Sequence, residues 1–380
     1  MEFVGVDVGK RKCVASKEAG DDYLSLAFEN NAGGFEKLMA FCPPKAQIVM
    51  ESTGHYGNCL MMKARNRGMT VKMVNAFSMS KFSKAVNRDT KTDKTDARQI
   101  LMFAKINPRA FRVPTFSDLK PITRLRMETS SELSRTRLQI GSVMDQLFPE
   151  LGHVFHDMGA VTAVRLLESH PTPKSICQLG LEDLTAFLKK HSRGQLGQER
   201  AEKLLDAAQN SFGLENSGLE IQLKVLLIRY KSLRRQRRLL DEQIKLLCPQ
   251  NLLMSIPGMG PVFSAVVLAE LGDEPRASAD QIRGYAGLRP QIHQSGEFVA
   301  TQKRMSKTGN RYLRTAFYMA AMSAVGNNPQ FRALYQKKLE AGKRKKVALC
   351  HIASKLASIT FGVLKNQKPF DEACLKASTA

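Results

Sequence analysis

The first 110 residues alternate short apolar runs with amphipathic ones. "FVGVDVGKRKCVASKEAG" reads as a buried strand, a turn at Gly9–Lys10 and a second strand. "DYLSLAFEN" follows as a third strand, with apolar residues at alternate positions. "GGFEKLMAFC" predicts a short helix before Pro43 and Pro44, and "AQIVMESTG" a fourth strand ending in a glycine turn. "HYGNCLMMKARNRG" carries a helical period closed by Gly68, and "MTVKMVN" gives a fifth strand. Helical segments then run through Lys105. The order β-β-β-α-β-α-β-α over residues 1–110 predicts a mixed sheet with helices packed against it.

The texture then changes. Pro108, Pro114 and Pro121 punctuate a linker, and a polar helix is expected over Ile122 to Leu147. Residues 149–217 read as short helices separated by Pro, Gly and Ser, with no evident chemistry. Leu219, Leu223, Leu226, Tyr230, Leu233, Arg237, Leu240, Ile244 and Leu247 are spaced alternately by four and three. That is an a/d seam over about four heptads, interrupted only by Arg237. Two partners fit the seam: a second copy of the chain, or the 122–147 helix of the same chain. From Asn251 onward short helices alternate with glycine turns, and the last helix is apolar on more than one face. The expected fold class is therefore α/β plus α. Residues 1–110 form a mixed-sheet domain, 111–250 a helical region with a coiled coil at 219–247, and 251–368 a mostly helical domain. Residues 369–380 form a loosely ordered tail.

Composition sharpens this picture. The chain has 380 residues, 58 Lys and Arg against 35 Asp and Glu, and a formal net charge of +23. The excess recurs in every region, which favours a polyanion partner over simple solubility by self-repulsion. A membrane surface is the weaker alternative, and no apolar run approaches the roughly 20 residues that span a bilayer. The N-terminus carries an acid where a signal peptide wants positive charge, so a cytoplasmic protein is expected. The 7 cysteines are odd in number and include no CxxC, as for reduced thiols. His153 and His156 have half the spacing of a zinc site, without partners near in sequence.

Five features carry candidate chemistry. Asp7 interrupts an apolar strand, where an acid is costly unless paired. Glu51 ends another strand in the same way, and strand ends of α/β sheets are where ligands sit. Asp93 and Asp96, three residues apart in "KTDKTDAR", share one helix face if a helix starts near Thr92. Capping explains one of them well and the second adequately, with Thr92 or Asp93 as the cap. Together, four acids from two strand ends and one helix start are what a hard divalent-cation site needs. Lys91, Lys94 and Arg98 would then hold a nucleic-acid backbone. "SIPGMGP" resembles a helix-hairpin-helix turn, in which Gly258 and Gly260 would present backbone N–H groups to phosphates; an ordinary tight turn is the alternative. Ser295 in "HQSGEF" sits in a turn upstream of Lys303, Arg304, Lys307, Arg311 and Arg314. A serine beside fixed cations suits attack on a phosphodiester, with His293 as a weaker candidate base.

"GVDVGK", "MESTGHY", "KTDKTDAR", "SIPGMG", "YAGLRP", "QSG" and "RMSKTGNRYLRTAFYMAAM", in this order, resemble the DEDD transposases of bacterial insertion sequences. These are the IS-one-ten and IS-eleven-eleven family, with the Piv-type DNA invertases as relatives. The resemblance implies an N-terminal domain of RNase H/RuvC type with Asp7, Glu51, Asp93 and Asp96 as its Mg²⁺-binding acids. It implies that Ser295 is a nucleophile forming a transient phosphoserine link to DNA. It further implies donor and target DNA as substrates, a structured noncoding guide RNA, and a homo-oligomer, dimer or tetramer, assembled through the coiled coil. The alternative is a Mg²⁺-dependent nuclease of the Holliday-junction type, with no covalent intermediate and a C-terminal half that only binds DNA.

Overall fold

The computed structural model describes residues 2–52, 54–86, 92–113, 117–272, 278–290, 294–295, 298–299 and 305–372. The chain divides into two compact units, residues 1–116 and 117–380.

The first unit is built on β1 (Phe3–Val8), β2 (Lys12–Ala19), β3 (Asp22–Glu29), β4 (Gln47–Glu51) and β5 (Thr70–Val74). They lie in the order β3-β2-β1-β4-β5. The first three form an antiparallel meander, and β4 and β5 join it parallel to β1, giving the expected mixed sheet. The pleat divides the side chains between two faces. Val4, Val6, Ile48 and Met50 meet α1 (Ala32–Phe41) and α2 (Asn58–Asn66) on one face, through Phe35, Leu38, Leu60 and Met61. Phe3, Val49 and Val74 meet α3 (Ala76–Ala85) and α4 (Asp93–Ile106) on the other, through Met79, Ile100 and Ala104. Past α4 the chain returns to the sheet edge, where Met73 and Arg112 exchange backbone hydrogen bonds of 2.7 and 2.8 Å.

Gly5 sets how closely α4 approaches the sheet. A Cβ there would stand 2.4 Å from the Ala97 carbonyl oxygen and 2.8 Å from the Leu101 nitrogen. Helix backbone and strand backbone are in direct contact at this point, which only a residue without a side chain permits.

Among the described residues the second unit is mostly helical, with one short pair of strands. Its long elements, α5 (Leu119–Leu147) and α10 (Ser217–Leu247), pack along each other. Against them lie α6 (Leu151–Val154), α7 (Val161–Ser169), α8 (Pro173–Ser192) and α9 (Gln198–Gln209). These share one core, with Phe148, Leu166, Leu184, Leu204 and Leu223 at its centre. A second core, around Leu253, Val266, Phe317, Phe331 and Leu356, is formed by the remaining helices. They are α11 (Pro261–Leu271), α12 (Ala279–Tyr285), α13 (Arg311–Asn327), α14 (Pro329–Glu340) and α15 (Lys345–Asn366). The hairpin strands β6 (Gln294–Ser295) and β7 (Phe298–Val299) belong to this part of the chain. Ile244, Cys248 and Ala265, with Leu119 and Ile122, join the two cores.

Two sequence expectations are refined. The seam residues Leu223, Leu226, Tyr230, Leu233 and Ile244 are buried, and α10's main partner is α5 of the same chain. A second stripe with the same heptad spacing, Ile221, Val225, Ile228, Leu239 and Leu246, is exposed instead. By length and composition α15 is apolar enough to cross a membrane, contrary to the expectation that no segment approaches this. The physical reason is burial from several sides: Ile352, Ala353, Leu356 and Val363 enter the C-terminal core, where α12, α13 and α14 pack on it.

Candidate functional site

Asp7 stands near the end of β1 and Glu51 ends β4. Val6 pairs with Met50 in the parallel register, so the next step sets Asp7 beside Glu51. Their parity along the strands is that of Gly5 and Val49, which face α4. Both are half-buried. The loops beyond the two strands are tied together by one side chain: Asn30 Nδ2 donates to the Gly9 carbonyl at 3.0 Å and to the Tyr56 carbonyl at 3.1 Å. The Gly9 N–H donates to the Lys12 carbonyl at 3.0 Å, closing the turn after Asp7.

The direction of α4 brings its acids to the same end. Lys105, in its last turn, pairs with Glu18. Because Gly5 lies opposite Ser16, Glu18 lies toward the Phe3 end of the sheet. The first turn of α4, with Asp93 and Asp96, therefore lies toward Asp7 and Glu51. Thr92 is the N-cap, its hydroxyl accepting from the Thr95 N–H at 3.2 Å. Capping thus accounts for neither aspartate. Both sit in the first turn, where the helix dipole favours negative charge. Asp93 is exposed and Asp96 half-buried. Cys13, on the neighbouring strand, has its thiol pKa raised by burial and further by the Asp7 charge, against a hydrogen bond to Gly9.

The four candidate ligands are all carboxylates, the hard oxygen donors that suit Mg²⁺. They share one sheet end and one helix start. Among the described residues no three His, Cys, Asp or Glu side chains close on one point as a chelating group. The basic neighbours differ from one another. Lys94 is exposed, whereas Arg98 lies toward β3, 5.2 Å from the Tyr23 ring, 3.4 Å from its carbonyl and 4.0 Å from Asp22. Lys91 lies outside the described residues.

The second group of candidates lies in the C-terminal core. Gly258 has a φ of +83°, and a Cβ there would stand 2.2 Å from the Ala320 carbonyl and 2.7 Å from the Ala324 nitrogen. Its glycine is thus required by contact with α13. Gly260, the N-cap of α11, is exposed, with open space around it and no side-chain cap. The element before this turn is a 3-10 turn, Leu252–Ser255. Ser295, expected in a turn, instead ends β6 opposite Phe298 of β7. His293, Lys303 and Arg304 lie outside the described residues. Lys307 is exposed, with a φ of +52°. Arg311 pairs with Glu128 at 3.2 Å and lies over the Tyr312 ring. Arg314 turns inward: its Nη1 donates to the Lys307 carbonyl at 3.0 Å and the Ala286 carbonyl at 3.3 Å.

One group escaped the sequence reading. The Glu270 carboxylate, fully excluded from solvent, binds Arg124 through both oxygens and accepts from Asn310 Nδ2 at 2.7 Å. Asn310 in turn caps α13, its Oδ1 accepting from the Tyr312 and Leu313 N–H groups. The signal was available, since Glu270 interrupts an apolar run as Asp7 does.

Comparison with known proteins gives the class: the chain is a DNA transposase, an enzyme of DNA recombination. Residues 4–149, which hold all four acids, match the DEDD transposase of IS110, and residues 250–336, which hold Ser295, match the transposase IS116/IS110/IS902 family. The chain belongs to this IS110/IS116 family. It is similar to the 43.6 kDa protein of insertion element IS110 from Streptomyces coelicolor, 25% identical over 96% of this chain and 94% of that one. It is also similar to the pilin gene-inverting protein of Moraxella bovis, 25% identical over 97% and 98%. The mini-circle putative transposase for IS117 from S. coelicolor is 27% identical over 74% of this chain and 72% of its own.

Proposed function

We propose that this transposase is an RNA-guided DNA recombinase of an insertion sequence, using an acidic tetrad and a serine nucleophile. The observation that carries the tetrad is the register of β1 and β4, which sets Asp7 beside Glu51 at the sheet end where α4 begins. Asp7, Glu51, Asp93 and Asp96 would hold Mg²⁺, which supplies charge stabilisation on a phosphate when bound. Ser295 Oγ attacks a DNA phosphorus, forming an Oγ–P bond and giving up its proton. The P–O bond to one deoxyribose oxygen breaks, and that oxygen leaves with a proton. A hydroxyl of the incoming strand reverses the step and frees the serine. Donor and target DNA, paired to a structured noncoding RNA, meet on a homo-oligomer. The net charge of +23 supports the polyanion partners. The exposed stripe of Ile221, Val225 and Ile228 supports self-association.

The test is recombination with co-purified RNA. Ser295→Ala is expected to abolish a covalent protein–DNA adduct, and Asp93→Asn or Asp96→Asn to abolish strand exchange. An adduct surviving Ser295→Ala removes Ser295 as nucleophile. Purified protein that carries no specific RNA and recombines without any removes the guide.

A further inference from the structure

Neither family model covers residues 150–249, and the sequence shows no chemistry in 149–217. The fold gathers a site there. Two cavities flank the start of α7. One, about 490 Å³, lies among the turn before α7, the end of α8 and the start of α9; Arg193 and Arg200 line it, with His156 and His191. The other, about 570 Å³, lies between α7 and α10 and is lined by Arg165, Lys231, Arg234 and Arg235. Val161, an apolar residue left 52% exposed at the first position of α7, lines both, so the two adjoin there and are taken together as one trough.

The trough is basic beyond its internal pairing. Its carboxylates are engaged: Glu168 with Lys231 at 2.5 Å and Arg165 at 3.7 Å, and Asp157 with Arg137 at 3.3 Å and the Gly159 N–H at 2.8 Å. Arg193, Arg234 and Arg235 meet no carboxylate among the described residues. Arg200 is held in place, its Nη1 donating to the Val154 carbonyl at 2.8 Å, and Arg234 is steadied over the Tyr230 ring. No side chain caps α7, so its first N–H groups, which have no intrahelical acceptors, open at the junction of the two cavities. Fixed guanidinium groups, two imidazoles and a bare helix start along a concave path select a chain of phosphates.

We infer that the trough around the start of α7 is a nucleic-acid backbone site, binding phosphodiesters with Arg193, Arg234 and Arg235 as its open contacts. The inference rests on the transposase reading but not on Ser295 or the acidic tetrad. It assigns residues 150–240 a role in holding substrate or guide.

The experiment uses the full chain and fluorescence anisotropy with a labelled DNA duplex and a labelled RNA hairpin, each titrated over a range of salt. The variant is Arg193→Gln/Arg234→Gln/Arg235→Gln, and Lys63→Gln/Arg65→Gln/Lys72→Gln is an equal-charge control. The trough variant is expected to bind at least one probe about tenfold more weakly, with a salt slope lower by roughly 2 to 3 for duplex DNA. Loss on the duplex alone identifies DNA as the occupant, loss on the hairpin alone RNA, and either supports the site. Arg→Lys at the same three positions restores most of the binding, which excludes misfolding. Unchanged affinity and slope, or an equal loss in the control, overturns the inference while leaving the transposase reading intact. Failure of the unmodified protein to bind either probe overturns both.

Discussion

Arg124 and Glu270 lock α5 to α11 through a two-pronged ion pair. Arg124 Nε donates to one carboxylate oxygen at 2.6 Å and Nη2 to the other at 2.9 Å. The carboxylate is wholly buried, whereas 40% of the arginine side chain is exposed. Removing the arginine strands a buried charge, with Lys120 and Asn310 still near it, while removing the acid leaves a cation that water can still reach. Arg124→Ala should therefore cost more than Glu270→Gln, about 3 kcal/mol by urea denaturation. Equal losses would mean that Lys120 takes over the pairing.

Gly5→Ala should separate α4 from the sheet, because the new methyl would meet main chain rather than a movable side chain. A loss of about 1–3 kcal/mol is expected in thermal unfolding. Strand exchange should fall more than stability accounts for, since Asp93 and Asp96 ride on that helix.

Thr92→Ala removes the cap of α4 and should cost about 1 kcal/mol, while Thr92→Ser should cost little. The same order in recombination rate, at a temperature where all three proteins are folded, would show that the cap orders the acids. A rate insensitive to Thr92 would show that packing on Gly5 suffices.

Cys42 should be nearly inert to alkylation. Burial pushes its thiol up to about 11, against the opposing pull of Lys17. A raised thiol pKa leaves the protonated, unreactive form dominant, so reactivity should climb only as pH approaches 11. Exposed Cys59 should react well before Cys42, which mass spectrometry of timed iodoacetamide quenches would read.

Much of this was legible in the sequence. The five strands and their succession along the chain followed from short apolar runs bounded by turns, with alternation in β3, and Asp7 and Glu51 stood out because each breaks an apolar run. Their adjacency needed the strand register, which the pattern leaves open. The seam of α10 was readable too, but a heptad pattern does not say whose helix fills it; here α5 of the same chain does, and the exposed stripe lies on other positions. Arg314 read as one of the cations that would serve Ser295 and nucleic acid, yet its guanidinium is turned to the backbone carbonyls of Lys307 and Ala286. The basic trough was invisible because its cations come from α7, the turn after α8, α9 and α10, and only Lys231, Arg234 and Arg235 are close in sequence.

The contact of α4 with β1 at Gly5 has a bearing on how freely this unit could be remodelled. Main chain rests on main chain there, so the helix has a hard stop that no side chain adjusts. Ile100 and Ala104, farther along α4, pack into the core and set how firmly the helix is held. Exchanging them for other apolar residues would loosen or tighten that grip without moving the stop. The acids' distance from the sheet end is thus a dimension of the backbone, and the core beside it can be recomposed without resetting it.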